Sequence, residues 1–509
     1  MNSRNMNFFQ LPKSVKIYKA REIKAVNLRK KKRAEHIDHY RNNLEKHQTS
    51  TIFDPNWIPE DLINHNELLI SDINPSNKLC ILIDISLNSS SSLSFSALTV
   101  IDKFLQKNIN SNIQHHLFNE KILLKLKQNL KSQNNNLQLV TIKIFSYLIQ
   151  ILPTTKLDIK IINIFPVFID LLKTTDSDIF TKILEIIYNY IINHSITDQQ
   201  CIYFLNQLND ININILCIIT NTQLLAWILK VLPYDQLNTD YRIIVFKYLP
   251  WIIDVNNEET VSQGIIALYK LSFFNDVKKE CMFLSIKIMK FINYYKPRAL
   301  INAIKVFQNV IEGGEELTQG LVDVGIVDKV IEIFETYTND IIKKEACICL
   351  KLIIEKGNDM INIVVNKGCL SIKKMLMNSC PIVIIEGVKC LAGIYRGQCK
   401  EAILKITQNE MLYDLLKIAC DLGEEKKLQI IFENLKDYCK YLKGILPTEE
   451  WDKIRLKFFN SENTKFLDYI ENKDTGSKYY NYFQDFLDII ENEETKEPDL
   501  QIPEFFSFC

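Results

Sequence analysis

From about Lys78 to Asn492 the chain repeats one pattern almost without a break: apolar residues at i, i+3, i+4 and i+7, then a short polar connector. The groups recur at roughly forty residues, the length of one two- or three-helix unit. A unit that small cannot bury its apolar face alone. The chain is therefore constrained to stack unit upon unit around one elongated core. Glycine is scarce, at 13 in 509 residues, whereas sheets and nucleotide-binding folds use glycine in turns and phosphate loops. The pattern predicts helices throughout.

That period belongs to armadillo and HEAT stacks. The unit is clearest between Lys296 and Leu376, where N-V-I-E-G-G-E-E-L-T-Q-G-L-V-D-V-G-I-V (309–327) precedes D-I-I-K-K-E-A-C-I-C-L (340–350) and N-D-M-I-N-I-V-V-N-K-G-C-L (358–370). Gly325 and Gly368 stand 43 residues apart, and both are expected in a tight left-handed turn between helices. Ser89–Ser92 and Asn134–Asn136 read as connectors. Gln48 to Asn77, with Pro55, Pro59 and Pro75, reads as a linker in which Trp57 and Ile58 could dock.

The N-terminus is different in kind. Between Lys13 and Lys46 stand twelve Lys/Arg against four acidic residues, a net +8 in a chain whose total is zero. Ile23, Val26 and the stems of Lys30 and Arg33 fall at helical spacing. A helix cationic nearly all round cannot bury itself in its own core and calls for an acidic partner. A localisation signal or a nucleic-acid tail carries the same charge.

The run V-N-L-R-K-K-K-R-A-E (26–35), ending in R-N at 41–42, resembles the importin-β-binding segment of the importin-α family. The phrases G-x-x-x-x-T-Q and I-K-K-E-A in the repeats resemble the same family. The resemblance implies an all-α, right-handed armadillo superhelix carrying a basic N-terminal helix that is largely disordered without its partner. It divides the chain into an arm (1–48), a linker (49–78), about ten repeats with a capping last one (79–492) and an acidic, aromatic tail (493–509). It implies importin-β contacts from Lys19, Arg21, Leu28, Arg29, Lys30, Lys32, Arg33 and Arg41, and shuttling between cytoplasm and nucleus. Where the family has a self-inhibitory Lys-Arg-Arg triplet, this chain has His39, Tyr40 and Arg41, which implies weak self-inhibition. K-F-L-D-Y-I-E-N (465–472) and the segment 477–494 resemble the last family repeat, which meets the recycling exportin. A capping repeat, which any solenoid needs, explains them equally.

Family members hold cargo through a Trp-x-x-x-Asn pair on each third helix, where i and i+4 share a face. The chain has four tryptophans, and most of that ladder is missing. Trp227 faces Val231 in place of Asn; Asn189 survives beside Glu185; Lys305 and Asn309 match the central repeat. The other pairs become Lys143/Tyr147, Ile266/Lys270, Ile348/Leu352 and Lys389/Gly393. A lysine in place of a cation-attracting ring repels a basic peptide, so Asn189, Trp227, Lys305 and Asn309 are the expected remnant of the cargo groove and an acidic or mixed peptide the candidate ligand.

No histidine, cysteine or carboxylate cluster has metal-ligand spacing, and Gly313-Gly314 runs into Glu315 where a phosphate loop needs Lys-Ser/Thr. The thirteen cysteines are scattered in apolar stretches and read as reduced core thiols. The first 30 residues lack an apolar core, and Lys247 and Pro250 break the run from Ile243 to Ile253, so neither a secretory signal nor a membrane span is expected. The expectation is a non-enzymatic adaptor without cofactor. An armadillo or HEAT scaffold whose arm is only its own localisation signal is the other reading.

Overall fold

The computed structural model describes residues 75–89, 91–107, 120–151 and 164–491, the last span apart from 175, 194–195, 212–217, 293–294, 423–424 and most of 460–477, together with 58, 59 and 62. The arm, Trp57 and the tail lie outside the described residues. Every described element is helical, with no strand among the described residues. The chain divides into two compact units, Met1–Ile151 and Leu152–Cys509.

In the first unit, α1 (Pro75–Asn88) packs along α2 (Ser91–Lys107), and α2 along α4 (Asn135–Ile151). The shorter α3 (Glu120–Asn129) lies against α1 and α4. Phe104, Leu126 and Phe145 form its centre, all but inaccessible to solvent. Two polar runs turn out to be helix starts. Ser91 and Ser92 open α2, and Asn134 Oδ1 accepts hydrogen bonds from the N–H groups of Asn136 and Leu137 at 3.0 and 3.2 Å, capping α4. The stretch read as linker likewise ends early, because Pro75 suits a first helical turn and α1 begins there.

The second unit begins with α5 (Phe165–Asp170), α6 (Ser177–Asn193), α7 (Asp198–Asn209), α8 (Ile219–Val231), α9 (Thr239–Phe246) and α10 (Leu249–Asp254). It continues with α11 (Glu258–Leu271), α12 (Lys278–Phe291), α13 (Pro297–Glu312), α14 (Glu315–Asp323), α15 (Ile326–Thr336) and α16 (Asp340–Ile354). It ends with α17 (Asn358–Leu376), α18 (Pro381–Arg396), α19 (Lys400–Gln408), α20 (Met411–Leu422), α21 (Glu425–Ile445), α22 (Thr448–Phe458) and α23 (Lys478–Glu491).

One row runs through it: α6, α8, α11, α13, α16, α18, α21 and α23 each pack against the next. From α8 to α18 their first residues are 39 to 43 apart, so the sequence period is the spacing of this row. A second row closes the core from one side, with α10 on α11, α12 on α13, α15 on α16, α17 on α18 and α20 on α21. The starts are set locally. Pro297 and Pro381 occupy the first turns of α13 and α18, and Asn257 and Asn339 cap α11 and α16 through their side-chain oxygens.

The two glycines expected to be equivalent are not. Gly325 has φ +93° and separates α14 from α15 in the left-handed conformation. Gly368 lies inside the unbroken helix α17, where an added Cβ would come 2.7 Å from Ile331 Cδ1 of α15. Close packing keeps the glycine there, and the helix runs through it. Gly325→Ala is therefore expected to cost about 1–2 kcal/mol through left-handed strain. Gly368→Ala should change stability little, because about 1 kcal/mol of helix propensity offsets the displacement of one flexible methyl. Thermal unfolding followed by circular dichroism separates the two, and equal losses would contradict this assignment.

Candidate functional site

Each helix of the long row buries one side and presents a stripe at i, i+3 or i+4 on the other. In α16, Ile342, Ala346, Cys349, Leu350 and Ile353 are buried, and Ile341, Lys344, Ile348 and Leu352 are not. Equivalent stripes are Arg298, Ile301, Lys305 and Asn309 on α13, and Ile382, Ile385, Lys389 and Gly393 on α18. Earlier in the row they are Asp178, Thr181, Glu185 and Asn189 on α6, then Thr220, Gln223, Trp227 and Val231 on α8. On α11 they are Glu259, Ser262, Ile266 and Lys270. The four residues expected to remain from a cargo groove thus lie on the solvent side of α6, α8 and α13. Lys143 and Tyr147 lie on α4 in the first unit. The eight arm residues, Lys19 to Arg41, are outside the described residues.

The stripe residues are largely engaged with their own chain. Tyr188 meets the Trp227 ring edge-on at 5.8 Å between centroids, and Lys230 Nζ stands 4.3 Å from the Trp227 centroid. One face of that ring is already covered by a cation. Asn309 Nδ2 donates to Ser272 Oγ at 2.8 Å, which spends part of its amide on the neighbouring helix. Lys305 Nζ is 5.8 Å from the Tyr269 ring. Lys182 pairs with Glu185 and Lys389 with Glu386, both at 2.7 Å, and Lys344 approaches Glu345 to 3.7 Å.

Glu345 and Glu386 were not singled out from sequence. They are only 6 and 8% exposed, one position beside the stripe and 41 residues apart. Gln308 Nε2 donates to both the backbone oxygen and Oε2 of Glu345, at 2.9 and 3.1 Å. A carboxylate among Ile and Cys neighbours at the repeat distance is the signal that could have found them. It also corrects one expectation: Lys389 does not present an uncompensated charge, because Glu386 neutralises it from below.

Several buried thiols are held in the protonated form. Burial pushes Cys201 and Cys390 up to about 12, with nearby Asp198 and Glu386 acting in the same direction, and burial raises Cys347 well above the ordinary thiol range. A thiol held protonated is a poor nucleophile. Among the described residues no group of three or more His, Cys, Asp or Glu could hold a metal ion, and no helix is long and apolar enough to cross a membrane.

The fold resembles that of an engineered protein known from its crystal structure, with a TM-score of 0.54 at 17% identity over 85% of this chain and 100% of that one. A designed armadillo repeat protein in complex with the peptide (KR)4 matches with a TM-score of 0.39 at 16% identity, over 48% of this chain and 98% of that one. A second designed armadillo repeat protein gives 0.38 at the same identity and coverage. Likeness at this level concerns the fold alone. No protein-family model matches the sequence, and no curated protein matches it. The described residues of the second unit thus form an all-helical repeat stack, with one long helix per repeat presenting a stripe to solvent.

An ordinary lysine-rich peptide is expected to bind this stripe at least about tenfold more weakly than a repeat protein with Trp/Asn pairs in every unit, a difference of about 1.4 kcal/mol. Each absent ring forgoes about 0.5–2 kcal/mol of cation–π attraction. The one stripe tryptophan already has Lys230 over it. Fluorescence anisotropy with a labelled lysine-rich peptide measures the difference, and equal affinities would show that other side chains replace the rings.

Proposed function

We propose that this chain is a nuclear-import adaptor of the importin-α kind, in which the arm at 13–46 engages importin-β and the outward stripe of the long helices carries protein cargo. The observation that supports it most is one chain joining an arm of net +8 to a row of long helices with aligned, accessible stripes. A cationic segment recruits an acidic carrier, and a stacked face gives an extended ligand a contact every repeat. In this reading the protein moves between cytoplasm and nucleus, and α21 to α23 meet the recycling exportin.

The second reading, a structural scaffold whose arm is only its own localisation signal, is favoured by the missing Trp/Asn ladder. A pull-down with purified importin-β separates them. Direct capture of the full chain, lost when residues 1–48 are deleted, supports the adaptor. No capture by importin-β alone leaves the scaffold.

A further inference from the structure

We infer that the stripe across α13, α16 and α18 is a docking surface for an acidic peptide interleaved with aliphatic side chains. This rests on reading the outward face of the long helices as a protein-binding surface, but not on the importin assignment. Of its twelve positions four are cationic (Arg298, Lys305, Lys344, Lys389), six are aliphatic and none is acidic. The matching twelve positions on α6, α8 and α11 hold three acids (Asp178, Glu185, Glu259) and one cation, Lys270. The change of sign falls between α11 and α13.

The two carboxylates that accompany the cationic half, Glu345 and Glu386, are sunk between helices, while the ammonium groups of Lys344 and Lys389 remain at the rim, with side chains 35 and 40% exposed. Glu386 offsets Lys389 and Glu345 lies 3.7 Å from Lys344, so four cations and two carboxylates leave the row at net +2. It is also apolar to a degree that a solvated face does not require, since Ile341 and Ile382 are 57 and 56% exposed at equivalent positions of neighbouring repeats.

Adjacent packed helices stand about 8–10 Å apart, which an extended chain covers in about three residues at 3.3 Å each. The ligand should therefore carry one acidic and one aliphatic side chain per three residues.

The test uses the full chain and three fluorescein-labelled dodecapeptides, each four triplets of Glu-Leu-Ser, Gln-Leu-Ser or Lys-Leu-Ser, read by anisotropy. The acidic peptide should bind at least about tenfold more tightly than the other two, with affinity falling as salt rises. Lys305→Glu with Lys344→Glu should remove that preference, and Glu185→Lys, on the acidic half, should keep it; circular dichroism confirms that both variants are folded. Equal binding of the Glu and Gln peptides would overturn the inference, as would full affinity in the double variant. Displacement of the acidic peptide by an equal concentration of oligodeoxythymidylate would also overturn it, by assigning the cations to phosphate. Capture by importin-β is measured on the same samples, so failure of the adaptor reading shows there and leaves the peptide result standing.

Discussion

Replacing Arg29, Lys30, Lys32 and Arg33 together with alanine is expected to lower importin-β affinity by at least about a hundredfold. Each removed cation forfeits about 0.7–1 kcal/mol in a partly exposed acidic cradle, so four remove about 3–4 kcal/mol, which is roughly a hundred- to a thousandfold in Kd. The four are drawn from twelve cations between Lys13 and Lys46, and they are the densest run. Long-range attraction from the remaining eight should preserve part of the association rate, so the loss should appear mainly in dissociation. The parent interaction should weaken steeply between low and physiological salt, because the Debye length shortens to about 8 Å at 0.15 M. Titration of labelled peptide 1–48 and its variant against purified importin-β measures both effects. The described helices are all built from residues after 74, so the substitutions should leave the far-ultraviolet spectrum of the full chain unchanged. Unchanged affinity in the fourfold variant would remove the arm from the interaction and with it the adaptor reading.

The architecture was legible because its cause is local and repeated. An apolar residue every third or fourth position makes a helix with one face to bury, and a forty-residue period makes the next copy that burying face. Positions 305, 348 and 389 could be aligned from sequence because phrases such as G-x-x-x-x-T-Q (313–319) and I-K-K-E-A (342–346) mark the repeats around them. Three things were not legible. Gly368 looks like Gly325 in sequence, but its role is set by Ile331, a residue 37 positions away. Asn134 looked like low-complexity filler, although its side-chain oxygen caps a helix. The charge on the stripe was misread at Lys389, because a Lys three residues after a buried Glu is compensated in a way that a helical wheel does not display. Local pattern determines which residues face outward. The free charge they present depends on partners beside the stripe.

Phe432→Ala is expected to release the C-terminal repeats while leaving the middle of the stack folded. Phe432 is fully buried on α21 and meets three aromatics of α23: Phe483 at 5.0 Å, Phe486 at 6.3 Å and Tyr479 at 6.5 Å between ring centroids. Phe486 in turn packs edge-on against Phe458 of α22 at 5.5 Å, and Phe458 against Tyr413 of α20 at 5.0 Å. Phe432 thus belongs to a cluster of rings that spans four helices. Removing it costs about 3–5 kcal/mol, from lost transfer energy and from the cavity that rigid neighbours cannot close. In a stack whose units contact only their neighbours, such a loss stays near its origin and is not shared by the whole chain. The helix released, α23, is the last described member of the long row, and its outer side is polar, with Asn481, Asp485, Asp488 and Glu491 exposed. Its departure would expose the apolar side of α21 and promote association. Hydrogen exchange should therefore accelerate in α21 to α23, remain slow in α13 and α16, and be accompanied by aggregation at lower temperature. Asp485→Ala, which removes only an exposed pairing with Lys436 at 3.3 Å, should shift stability by less than about 1 kcal/mol. Equal acceleration of exchange in every helix would mean that the repeats unfold as one unit, and that the long row is not the chain of nearest-neighbour interfaces described above.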